Sequence, residues 1–132
     1  IYKIFQFVPP KVDEFAKRHA WTEQLTHDIR MVVEELTLNA MTHGHQSPET
    51  GWIRWRISCA SQQVMLVMED GGRAFNPLAA APPDLDSELE NRQLGGLGIH
   101  LVRSLMSPIL YERDGNANRL TLFKHTRPTG NA

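Results

Sequence analysis

Cysteine is nearly absent: Cys59 stands alone, so no intrachain disulfide can form, and its hydrophobic neighbours suit a packed thiol in a reducing compartment. Long apolar runs are absent too. The longest, residues 64–68, is far too short to cross a bilayer, and no charged-then-apolar leader opens the chain. The expectation is a cytoplasmic protein with no membrane segment. Neither sign of charge dominates. With 14 Lys and Arg against 15 Asp and Glu the net charge is −1, so the broad positive face that binds nucleic acid is missing. Gly-x-x-x-x-Gly-Lys does not occur, and no glycine cluster follows a strand in a βαβ unit, which excludes a P-loop and a dinucleotide fingerprint. No internal repeat is visible. The first residue is Ile1, and a chain trimmed or cut from a longer polypeptide is expected.

What is present is an ordinary globular composition, 41% hydrophobic and 22% charged. Its 132 residues suffice for one domain, residues 1–132, around a single core. Residues 2–8 (YKIFQFV) are aromatic and β-branched and stop at Pro9-Pro10, which predicts a strand. A helix over residues 12–20 follows. Thr22 is a good cap for a long helix, with Glu23 in its first turn and Gly44 available to end it in a left-handed conformation. On that helix Leu25, Ile29, Val32, Val33, Leu36, Ala40 and His43 share one apolar stripe, with Glu35 and Asn39 on its shoulder and Glu34 opposite. Residues 52–58 alternate Ile53, Trp55 and Ile57 with Trp52, Arg54 and Arg56, the period of a half-buried strand. Residues 64–69 read as its hairpin partner. Residues 76–94 are rich in Pro, Ala and acids and predict a long loop. A helix from about 98 to 106 comes next, then a hairpin turning at Asp114-Gly115-Asn116, and residues 128–132 read as a frayed end.

Three segments carry chemistry. In Glu35-Leu-Thr-Leu-Asn39 the acid and the amide are four apart, so their side chains project together from neighbouring turns. A carboxylate there can accept a hydroxyl proton, and an amide oxygen is a hard ligand for Mg²⁺. The pair also fits a solvated helix flank. Asp70 shares a strand face with Val64, Leu66 and Met68, which turns its carboxylate inward, and Gly71-Gly72 follow at once. A buried acid needs a partner, and an adenine amino group is one, while Gly72 lets the backbone approach a base. A plain Asp-Gly-Gly turn is the competing reading. Gly95-Gly96-Leu97-Gly98 opens an apolar helix, offering free N–H groups to phosphates, or else a hinge.

These segments, as VVEELTLNAMTHG, EDGGRAFNPL and LGGLGIHLVRSLM, resemble the three boxes of the gyrase, Hsp90, histidine kinase and MutL ATPase superfamily. Within it the chain resembles the anti-sigma factor serine/threonine kinases, in order and spacing and over nearly its whole length. The resemblance implies a Bergerat-type α/β two-layer sandwich, its mixed, mostly antiparallel sheet covered on one face by helices. It implies ATP and Mg²⁺, with Glu35 as general base, Asn39 as metal ligand and Asp70 as adenine reader. Gly96 and Gly98 belong to the phosphate cradle, and the nucleotide-binding set is Asn39, His43, Asp70, Gly72, Gly95, Gly96, Leu97, Gly98 and Ile99. A lid spans about residues 80–94. His43 reads equally as a core-facing histidine. Phosphoryl transfer to a Ser or Thr of an anti-sigma factor antagonist is implied, with a sigma factor as a further partner and a homodimer as a possible assembly. The alternative is a nucleotide-dependent module that sequesters a partner without phosphoryl transfer. The catalytic half of a histidine kinase is a third reading, disfavoured because there is no room for a dimerising helical hairpin. Asn76 stands where Asp is common in the second box, and Ala117-Asn118 where many superfamily members have Gly-Thr.

Overall fold

The computed structural model describes residues 6–8, 11–44, 51–60, 62–79 and 96–126. The fold is organised by helix α2 (Glu23–His43), whose cap Thr22 is extended and accepts a hydrogen bond from the Leu25 N–H at 3.1 Å. That contact satisfies one of the N–H groups a helix start leaves without a partner. Leu25, Ile29, Val32, Val33, Leu36 and Ala40 are all buried and Glu34 is exposed, as the stripe requires. The other end differs from expectation. Gly44 is not left-handed: its φ is −75° and its N–H still bonds the Ala40 carbonyl. At this end the Gly44 carbonyl accepts from the Arg73 N–H at 3.0 Å, a tertiary contact that joins the helix terminus to the segment after β3.

Four strands form hairpins. β2 (Trp52–Ala60) pairs antiparallel with β3 (Gln63–Asp70), and β4 (Ile109–Asp114) pairs antiparallel with β5 (Ala117–His125) across Gly115, whose φ of +60° suits glycine. β3 and β5 join the hairpins antiparallel, while the short β1 (Gln6–Val8) runs parallel to β2, giving the order β1-β2-β3-β5-β4. The sheet is mixed and mostly antiparallel. β2 and β3 each extend past the alternation that predicted them, because cross-strand pairing continues to Ala60 and Gln63 and to Ile53 and Asp70.

Alternation sends Ile53, Val64, Leu66, Leu120 and Leu122 to the helical side, where they meet Ile29, Val32 and Leu36 of α2 and Val102 of α3 (Gly96–Leu105). Each such side chain contributes about 1.5–3 kcal/mol on burial. α3 begins at Gly96, two residues earlier than the apolar pattern alone suggests. Its C-terminal carbonyl at Leu105 receives the Lys124 ammonium of β5 at 2.9 Å, which ties the helix to the sheet. α1 (Val12–Arg18) packs on α2 through Val12, and Arg30 of α2 pairs with Asp13. On the opposite sheet face Arg119 bonds Glu69, Glu112 and Asp114.

Within the segment expected to be loop, Pro77–Ala79 makes one 3₁₀ turn, with the Asn76 side-chain oxygen accepting from the Leu78 N–H at 2.9 Å. The lid expected at residues 80–94, Gly95, the first residues of the expected opening strand and the frayed C-terminus lie outside the described residues. Among the described residues no helix is long and apolar enough to cross a membrane.

Candidate functional site

Asp70 ends β3 on the helical face, 4% exposed, because the strand's alternation carries it there with Val64, Leu66 and Met68. Its Oδ1 accepts two hydrogen bonds, from the Gly72 N–H at 2.9 Å and from Asn118 Nδ2 at 3.0 Å. Among the described residues Oδ2 has no hydrogen bond. Burial pushes the carboxyl pKa above the ordinary carboxylate value, and the bonds from Asn118 and Gly72, with the positive charge of Arg113, pull partly against it. Arg113 also donates to the Gly72 carbonyl at 2.8 Å.

Gly72 owes its small size to the chain itself. A Cβ there would stand 2.9 Å from the Gly44 carbonyl oxygen and 3.0 Å from Asp70 Oδ1. The second segment is thus clamped to the end of α2, with Arg73 donating from its N–H to Gly44 and from Nε to the His43 carbonyl at 2.9 Å. The His43 ring stacks on Phe75, centroids 5.0 Å apart and planes 18° from parallel. Instead of joining the core, it leans on a ring that itself lines the cavity beside Asp70.

That cavity is small, about 20 Å³, and brings Asn39 and Leu36 of α2 together with Met68, Asp70, Phe75 and Tyr111. Asn39 is 7% exposed, and among the described residues no hydrogen bond engages its side chain. One turn earlier the Glu35 carboxylate lies against α3: a Cβ on Gly98 would meet Glu35 Oε2 at 2.3 Å. Gly96 and Leu97 occupy the first turn of α3, where helix geometry leaves N–H groups without an intrahelical partner. Ile99 is buried in the core, so only its backbone can face a ligand. Gly95 is outside the described residues. A larger cavity of about 550 Å³, between α1 and α2, is lined by Lys11, Arg30, Thr37 and Met41 and by none of these residues.

The donor set fits a nucleotide with a hard cation. An amide with no hydrogen-bond partner among the described residues is a suitable Mg²⁺ ligand, and such an ion takes most other ligands from phosphates and water. Among the described residues no group of three His, Cys, Asp or Glu side chains is placed to hold a metal. The residues that sequence reasoning passed over are Phe75, Tyr111 and Arg113, together with Asn118, noted only as a departure from a pattern. They reach the site from a loop and from β4 and β5, and no periodicity or motif marks them in the chain.

The family described as histidine kinase-like ATPase domain matches residues 10–124. The serine/threonine-protein kinase BtrW of Bordetella bronchiseptica is 28% identical over 117 residues, covering 89% of this chain and 82% of that protein. The serine-protein kinase RsbW of Listeria monocytogenes is 25% identical over 82% of this chain and 72% of its own. An anti-sigma F factor of Clostridium botulinum is 21% identical over 66% and 61%. Among solved structures, the Erythrobacter litoralis EL346 blue-light activated histidine kinase superposes with a TM-score of 0.57 at 22% identity, over 80% of this chain and 32% of that one. Its separate histidine kinase domain gives 0.52 at 22% identity, over 76% and 47%. The chain therefore spans less than half of those structures, and the likeness is one of fold.

Proposed function

Because this chain belongs to the histidine kinase-like ATPase domain family, we propose that it is an ATP-dependent serine/threonine protein kinase. Its substrate is an anti-sigma factor antagonist protein, and a sigma factor is its second partner. The whole chain acts as one ATP-binding domain. The printed names of its relatives, serine kinases and anti-sigma factors, support phosphorylation of a protein serine or threonine and a sigma factor as partner. The observation that carries the catalytic part is the Glu35 carboxylate, held against the first turns of α3 at Gly98.

In this reading Asp70 accepts the adenine amino group at Oδ2, and the first-turn N–H groups of α3 bind phosphate oxygens. Asn39 would hold Mg²⁺, which when bound supplies positive charge to the phosphates. Glu35 takes the proton of the incoming Ser or Thr hydroxyl. As that oxygen bonds to the γ-phosphorus, the bond from phosphorus to the ADP oxygen breaks, leaving ADP and a phosphorylated side chain.

The test is incubation with γ-labelled ATP and a candidate antagonist. Acid-stable label on Ser or Thr supports the kinase. Acid-labile label points to histidine phosphorylation, and nucleotide-dependent complex formation without label points to the alternative, a sequestering module.

A further inference from the structure

We propose that Asn118 is a positioning residue that fixes Asp70 as a one-oxygen reader of the purine 6-position and itself offers no donor to the adjacent ring nitrogen, N1. The inference rests on the nucleotide reading of the site and deepens it by assigning which purine atoms are read.

The hydrogen-bonding capacity of Asn118 can be counted atom by atom. Asn118 lies directly across from Asp70 in the β3–β5 register and is 5% exposed. An amide side chain has two donor hydrogens and an oxygen with two lone pairs. Here Nδ2 donates to Asp70 Oδ1 at 3.0 Å and to the Arg73 carbonyl at 2.8 Å. Its Oδ1 accepts from the Phe75 N–H at 3.2 Å and from the Tyr111 hydroxyl at 2.5 Å. The capacity is fully used.

Nor is the amide free to turn over. The Phe75 N–H can only donate and the Arg73 carbonyl can only accept, so exchanging oxygen and nitrogen would oppose donor to donor and acceptor to acceptor. A side chain so committed has nothing left for a base. What it does is hold Asp70 Oδ1, with the Gly72 N–H as the second bond to that atom. The ligand is left with Oδ2, which accepts one hydrogen from a 6-amino group and repels a 6-oxo group.

Binding should therefore depend on the 6-amino group and ignore N1. The experiment measures affinities of the unmodified chain by calorimetry for ATP, for 1-deaza-ATP, which has C–H in place of N1, and for purine riboside triphosphate, which lacks the amino group. We expect 1-deaza-ATP to bind within about threefold of ATP, and purine riboside triphosphate at least about tenfold more weakly because the hydrogen bond from the amino group to Oδ2 is lost. ATP binding with a tenfold loss for 1-deaza-ATP overturns this inference alone. No binding of any of the three overturns the nucleotide reading and this inference with it.

Positioning is read separately in Asn118→Ala, which removes both donors without adding a charge. The preference for ATP over purine riboside triphosphate should shrink at least about threefold as Asp70 loses its anchor, and an unchanged preference overturns the positioning role. If that variant does not fold, the nucleotide series on the parent chain still decides the matter.

Discussion

A methyl group built on Gly98 would stand 2.3 Å from Glu35 Oε2 and 3.2 Å from its carboxyl carbon. The first and third chemical segments of the sequence thus meet through one missing side chain. The acid of α2 and the opening of α3 are placed as a unit.

Glu35→Gln keeps the size of the side chain and removes its basicity. ATP affinity should stay near that of the parent while phosphoryl transfer, followed by rapid quench, falls by about 10²–10⁴-fold. Undiminished transfer would assign the base elsewhere.

Gly98→Ala forces the Glu35 carboxylate to swing aside, which the end of a flexible side chain does at low cost, so the loss should stay below about 1 kcal/mol. Thermal unfolding should show it. Combined with Glu35→Ala, which removes the obstructed group, the loss should be clearly smaller than the sum of the two single changes. Strict additivity would mean the two residues do not interfere.

Asn39→Ala removes an amide that no described residue engages, so the fold should be little affected. The advantage that Mg²⁺ gives to ATP binding should shrink by tenfold or more on the scale of about 1.4 kcal/mol per decade. Isothermal titration with magnesium and with a chelator checks this, and an unchanged ratio would rule out the metal role.

Asp70 makes stability depend on pH with a definite sign. Burial raises its carboxyl pKa in the folded chain, so the stabilisation from its protonated form is complete below the ordinary carboxylate pKa. It is lost as pH rises through the raised value. Asp70→Asn should gain stability relative to the parent from about pH 4 upward, levelling off once the parent's carboxyl is ionised. Denaturant unfolding across that range tests the sign. The same change should weaken ATP binding, since an amide N–H2 or a turned carbonyl replaces the free carboxylate oxygen.

Much of the fold was legible because local rules and tertiary packing agree. The Thr22 cap, the apolar stripe of α2 and the alternation of β2 and β3 all point to the arrangement observed. Gly44 shows where that agreement ends. A glycine after a helix suggests a left-handed stop, yet here it is helical and held by Arg73. Nothing near Gly44 in sequence announces that partner.

His43 shows the limit differently: periodicity placed it in the apolar stripe, and the structure stacks it on Phe75. A ring from a distant loop decides its surroundings. Asn118 is the sharper case, because one chain position supplies four hydrogen bonds to four separated residues, among them Asp70 and Tyr111.

The sequence by itself determined the elements, the face each presents and the chemical character of Glu35, Asn39 and Asp70, since periodicity and residue type are local properties of a chain. Only the tertiary structure decided that Glu35 rests on Gly98, that Gly72 is pressed against Gly44, and which Asp70 oxygen is left for a ligand. Those depend on strand register and on close approach between distant backbones, and no local spacing encodes either.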